Sequence, residues 1–208
     1  MLDRIRWLGQ SSFLLQGPPL IYIDPYGISR SAFLADVILV SRASYEYCSP
    51  ADIRKLLGPG TQVIGDEAVD ALLDDISVNV VRPWQSVTMD RVRITAVPHG
   101  QTDNDQAATP SGTGFLISLD YYDVYYAGDT AQVPETIPLR PDVAIIPIRN
   151  AASGLMSIEQ AVRAVEILKP RWVVPSQWST ASGGGYLDLR AFQAAVGDLA
   201  DVVVPEQL

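Results

Sequence analysis

The chain contains one histidine and one cysteine in 208 residues. The lone cysteine, Cys48, excludes an internal disulfide and fits a reducing compartment. The lone histidine, His99, constrains function more, because zinc enzymes of the usual kind draw on several imidazoles. Basic residues are also scarce: 15 Lys and Arg stand against 24 Asp and Glu, for a net charge of −9, and no basic run occurs. Nucleic-acid and anionic-membrane partners are therefore disfavoured on electrostatic grounds, and the acidic surface serves solubility. No apolar stretch approaches a membrane span, and residues 1–7 lack a signal-peptide core. The expectation is a soluble cytoplasmic protein.

What is present reads as an ordinary globular chain, 48% apolar and 19% charged, of a length that favours one domain over residues 1–208. Short apolar runs bounded by Gly and Pro predict strands at 4–8, 11–16 and 20–24, and a continuous apolar strand at 36–41. A helix follows from Ser49, with Pro50 in its first turn and Ile53, Leu56 and Leu57 at helical spacing. Beyond it, strands are predicted at 63–65, 78–81, 86–89, 92–97, 114–119 and 123–127, with a short helix at 67–73. The polar stretch 99–111 is long for a hairpin loop, a length associated with function or mobility. The last third alternates strand (143–148), helix (157–168, with Ser157 and Gln160 at capping-box spacing), strand (171–174), helix (187–196) and strand (202–204). Residues 36–64 and 142–174 share a plan of Asp-Val strand, polar loop, Ser-capped helix, Pro break and strand. Many strands with helices in each half predict two packed sheets with helices outside.

The polar loop after strand 36–41 sits where α/β proteins usually place chemistry, yet it offers Arg42, Ser44, Tyr45, Glu46, Tyr47 and Cys48. Around it stand Trp7-Leu8-Gly9-Gln10-Ser11-Ser12-Phe13, Tyr22-Ile23-Asp24-Pro25, Ser49-Pro50, Gly128-Asp129-Thr130, and Lys169-Pro170 followed by Pro175-Ser176-Gln177. In these motifs and their order, from about residue 4 to residue 180, the chain resembles the metallo-β-lactamase superfamily, in particular the small ascorbate-6-phosphate-lactonase-like hydrolases. The resemblance implies a mixed α/β fold, the four-layer αββα sandwich. It also implies a pair of metal ions that lower the pKa of a bound water and polarise the substrate.

Carried over by position, however, the ligands the family would use are replaced. The three histidines of the loop become Arg42, Ser44 and Tyr47, and its aspartate becomes Glu46. The early histidine becomes Gln10 and the late one Gln177. Asp129 alone keeps its chemistry, and His99 falls one or two residues short of the register of the middle histidine. Arg42 presents only donors and cannot ligate a metal. No cofactor is therefore expected; the alternative is one weakly bound divalent metal on Asp129, Glu46 and His99. Arg42 is expected to replace the metal electrostatically, pairing with Asp129 and Glu46.

Each candidate also has a structural reading. His99 is a loop histidine or a base, Asp129 an Asx-turn residue or a functional carboxylate. Cys48 is read as a buried, inert thiol, and Tyr45, Tyr47, Tyr126 and Trp178 as packing residues by default. The glycine-rich stretch 181–185 lacks the Lys of a phosphate loop and reads as a plain loop.

The expected function is that of a degenerate member that has lost metal and hydrolysis. Its pocket would take a small polar ligand or serve regulation. The alternative is an active hydrolase with a single-metal or metal-free site built from Asp129, Glu46, His99 and Arg42. A scaffold role through a homo-oligomer is a third reading.

Overall fold

The computed structural model describes residues 1–99, 112–148, 156–178 and 185–205. The stretches 100–111 and 181–184, which hold most of the two polar loops singled out in the sequence, lie outside the described residues.

Among the described residues, thirteen strands form two sheets. The first runs β1 (Ile5–Gly9), β2 (Ser12–Leu15), β3 (Ile21–Ile23), β4 (Val37–Leu39), β5 (Gln62–Gly65) and β6 (Val78–Val80), hydrogen-bonded in that order. The second contains β7 (Ser86–Met89), β8 (Val92–Pro98), β9 (Thr113–Leu119), β10 (Tyr122–Tyr126), β11 (Val143–Pro147), β12 (Trp172–Ser176) and β13 (Asp201–Val202), also in sequence order across the sheet. Helices α1 (Pro50–Leu56) and α2 (Glu67–Leu72) belong to the first half, α3 (Ile158–Leu168) and α4 (Gly185–Val196) to the second. No helix among the described residues is long and apolar enough to cross a membrane.

The period-2 alternation of strands builds the layers. Phe13 and Leu15 of β2, and Val37 and Leu39 of β4, face the second sheet and join its Ile94, Phe115, Ile117 and Val124 in one core. Their neighbours Leu14 and Ile38 point the other way, onto Ile53 and Leu56 of α1 and Val69 of α2. A strand buried on both faces must be apolar throughout, which is why 37–40 reads as an unbroken hydrophobic run. The shared plan of the two halves is real: β4–α1–β5 and β11–α3–β12 are both parallel strand–helix–strand units.

Local chemistry sets the boundaries. Ser49 caps α1 by accepting from Asp52 N–H, with Pro50 at the first helical position. Ser157 and Gln160 form the full capping box predicted for α3. The strand predicted at 36–41 is shorter, Val37–Leu39; Val40 N–H still bonds to Ile64 O of β5, and from Ser41, whose N–H donates to the Asp24 carboxylate, the chain makes site contacts instead. Helix α4 starts two residues earlier than its apolar spacing indicates, at Gly185, which therefore belongs to a helix and not to a loop.

Candidate functional site

Strands β1, β3 and β4 of the first sheet run in one direction, and β8, β10 and β12 of the second share another. Their carboxyl ends deliver Gln10 and Ser11, Asp24, the loop 41–48, His99, Gly128-Asp129 and Gln177 to one end of the sandwich. Backbone hydrogen bonds tie the two sheets together there: Thr113 N–H donates to Ser41 O at 2.8 Å, and Gln177 N–H to Gln10 O at 3.0 Å.

Beneath this end lies Asp24, fully buried and held at a positive φ of 45°. Its carboxylate accepts from Ser41 N–H at 2.7 Å, Ser41 Oγ–H at 2.6 Å and Tyr126 Oη–H at 2.6 Å. Ser12 donates to its carbonyl. Burial pushes the Asp24 carboxyl up to about 7 although its donors from Ser41 and Tyr126 pull it down. Asp24 thus anchors the start of the 41–48 loop to β10 of the opposite sheet. Tyr126 belongs to this buried support and not to the pocket wall.

Arg42 follows Ser41 and forms an ion pair with Asp129 through Nη1 and Oδ2. Asp129 is 7% exposed and Arg42 38%, so the carboxylate is buried beneath a guanidinium whose other edge reaches the surface. The pairing expected of Arg42 is found for Asp129 and not for Glu46, which lies farther along the loop, is exposed and makes no ion pair among the described residues. The other carboxylate oxygen of Asp129, Oδ1, is buried without a hydrogen-bond partner.

His99 stands beside this pair, a position its sequence register left open. Gly128, at φ +68°, passes so close that a Cβ there would lie 2.7 Å from His99 Nε2. Gly112, at φ +121°, brackets the other side of the ring, where a Cβ would lie 2.8 Å from Nδ1. Burial, reinforced by the Arg42 charge, lowers the imidazole to about 4, against the smaller pull of the Thr113 and Ala127 backbone. The ring is therefore neutral at ordinary pH, with Nε2 enclosed and unpartnered. The glycines at 112 and 128 were the missed signal: positive-φ residues that leave room for one imidazole.

A second cluster forms a cavity of about 200 Å³ lined by Gln10, Ser11, Tyr26, Glu46, Tyr47 and Gln177. Tyr47 Oη–H donates to Gln177 Oε1 at 3.3 Å, so the residues at two expected ligand positions bond to each other. Gln177 is 2% exposed, and its Nε2 has no partner. Tyr26 packs edge-on to Tyr45, ring centroids 5.6 Å apart, at the rim; Tyr26 was not among the residues the motifs picked out. Ser44 is half-buried and serves the loop backbone, accepting at its carbonyl from Tyr47 and Cys48 N–H. Cys48 is buried, and burial lifts its thiol to about 12, so it is the inert thiol expected. Trp178 stacks on Trp7 at 4.9 Å, a packing role.

The donor set does not fit a dinuclear metal centre. An arginine occupies one ligand position and is already bound to Asp129, an amide and a phenol bond to each other at two more, and the imidazole Nε2 is shut against Gly128. Among the described residues no group of three His, Cys, Asp or Glu side chains is placed to hold a metal ion. What the end of the sandwich does hold is unmet polarity. Among the described residues, four of the five buried side-chain polar atoms lacking a partner are His99 Nε2, Asp129 Oδ1, Gln177 Nε2 and Trp178 Nε1. Such atoms concentrate where water or a ligand binds.

Comparison with known proteins agrees with this architecture. A family profile described as a beta-lactamase superfamily domain matches residues 4–177. The chain is 30% identical to a UPF0173 metal-dependent hydrolase of Pyrococcus abyssi, over 97% of this chain and 95% of that one. It is 29% identical to one from Thermococcus kodakarensis with the same coverage. A putative metal-dependent hydrolase from Parabacteroides distasonis superposes with a TM-score of 0.84 at 22% identity, covering 98% and 93% of the two chains. A metallo hydrolase from Ignicoccus hospitalis superposes at 0.75 and 23% identity, covering 97% and 94%. With two mixed sheets, helices outside and the site at their carboxyl ends, the chain belongs to the metallo-β-lactamase superfamily.

Proposed function

We propose that the chain is a hydrolase-superfamily protein with an altered, metal-free site, in which the Arg42 guanidinium supplies the fixed positive charge. The Arg42–Asp129 ion pair carries this reading. Held on one side by Asp129, Arg42 keeps its remaining N–H groups without partners among the described residues, at the exposed edge of the site. Donors fixed in this way can stabilise an oxyanion developing on an ester, lactone or phosphoryl substrate. Beside Arg42, the unpartnered Oδ1 of Asp129 is the acceptor able to take a proton from an attacking water, while the enclosed His99 ring packs behind the pair. The relatives are named metal-dependent hydrolases, which supports retained hydrolysis over the expected loss of activity; the metal in their name finds no matching donor set among the described residues of this chain.

The test pairs metal analysis of protein purified without chelator with a panel of activated esters, lactones and phosphodiesters. Turnover that survives chelation and is lost in Arg42→Ala is the expected result. Near-stoichiometric zinc or manganese would overturn the reading. A second reading, binding without turnover, is favoured by one observation: no hydroxyl or thiol of the described residues is hydrogen-bonded to the imidazole as a nucleophile. Ligand-induced stabilisation without turnover of any substrate in the panel would select it.

A further inference from the structure

Besides Asp24, which is buried beneath Ser41 and Tyr126, two carboxylates of the described residues reach this end of the sandwich, and their charge balance differs. The charge of Asp129 is met within the protein by Arg42. That of Glu46 is not: its side chain lines the 200 Å³ cavity and has no ion-pair or hydrogen-bond partner among the described residues. The other lining side chains are two amides, one hydroxyl and two phenols, with no Lys, Arg or His. Tyr45 sits edge-on to Tyr26, so aromatic rings from both sides of Glu46 in the sequence stand at the cavity or its rim. The buried Nε2 of Gln177 offers one unused donor.

We infer that this cavity binds a small organic cation: an amine whose ammonium group pairs with Glu46 among the tyrosine rings and whose hydroxyl or carbonyl oxygen accepts from Gln177 Nε2. A carboxylate surrounded by aromatic faces recognises ammonium groups by charge and by cation–π attraction. An anion would meet the uncompensated Glu46 charge with no cation lining the cavity, and the net charge of −9 adds to that bias. At 200 Å³ the cavity is smaller than sites for drug-sized ligands, ~300–1,000 Å³, so the ligand has few heavy atoms. This deepens the metal-free reading of the same site and rests on it for the placement of Arg42.

Three probes of nearly equal size separate the charge types: ethanolamine, ethylene glycol and glycolate, each titrated into the intact protein by calorimetry. Saturable binding of ethanolamine alone is expected, weakened roughly tenfold in Glu46→Gln, the scale of one charge-assisted contact, and retained in Glu46→Asp. Tyr26→Leu should weaken it independently, while all three variants keep the unfolding midpoint of the parent. Tighter binding of glycolate or ethylene glycol than of ethanolamine overturns the inference. So does binding of none of them in the millimolar range, or an unchanged affinity in Glu46→Gln. Binding is read without turnover, so a failed hydrolysis panel and a failed titration are distinguishable results.

Discussion

At the residue scale, the site is decided by which charges neutralise one another. Removing Arg42 leaves the Asp129 carboxylate buried and alone, and Arg42→Ala should cost about 1–3 kcal/mol of stability, a figure reduced from the fully buried case because the guanidinium is 38% exposed. Arg42→Ala combined with Asp129→Ala should restore part of that loss, read as coupling in a double-mutant cycle by urea denaturation.

Asp24 and His99 make opposite pH demands. The carboxyl of Asp24 is raised to about 7 in the fold, so between pH ~4 and 7 the native state holds a proton that the unfolded chain has released, and stability falls as pH rises. The imidazole of His99 is lowered to about 4. Between pH ~4 and 6.5 the unfolded chain therefore holds the extra proton, and stability rises with pH. The two slopes offset each other in the parent protein. Asp24→Asn should expose the rising slope of His99, and His99→Gln the falling slope of Asp24, in denaturation midpoints measured across this range. The single histidine also gives one Cε1–H resonance, whose titration should be centred near 4; a midpoint near the ordinary 6.5 would contradict the burial described.

At the element scale, the strand ends do the positioning. The turn after β10 brings Asp129 to Arg42 only because Gly128 takes φ +68° against the face of His99. Gly128→Ala would meet both a disfavoured backbone conformation and a Cβ 2.7 Å from Nε2. A loss of about 2 kcal/mol or more is expected, with a displaced His99 resonance. The 41–48 loop is held at both ends, by Asp24 beneath Ser41 and by the Ser49 cap of α1. A loop pinned in this way can exchange its side chains without losing its path, which explains how Arg42, Ser44 and Tyr47 occupy expected ligand positions in an intact fold.

At the scale of the whole molecule, stability rests on the core between the sheets and the helix layers outside them, and the metal-free reading proposed above adds no bound ion to these terms. Thermal unfolding should therefore be unchanged by EDTA. Added zinc should give no saturable stabilisation, which any ion bound to the native state alone would produce by mass action. A zinc-dependent rise in midpoint would show that donors outside those described here complete a site.

The sequence by itself determined the layers and carried the expectation that the usual ligands are replaced. Period-2 burial in β2 and β4, the helix caps at Ser49 and Ser157, and the order of short motifs are local patterns that a linear chain displays. The chemistry of Arg42 likewise excludes ligation wherever the side chain points. Only the tertiary structure decided which groups meet. That Arg42 pairs with Asp129 and leaves Glu46 free, that Tyr47 and Gln177 bond across 130 positions, that Tyr26 joins the cavity, and that His99 lies against Gly128 all depend on strand ends of two different sheets. Those contacts are set by sheet register and backbone turns, and neither composition nor spacing along the chain encodes which distant side chain will be within reach.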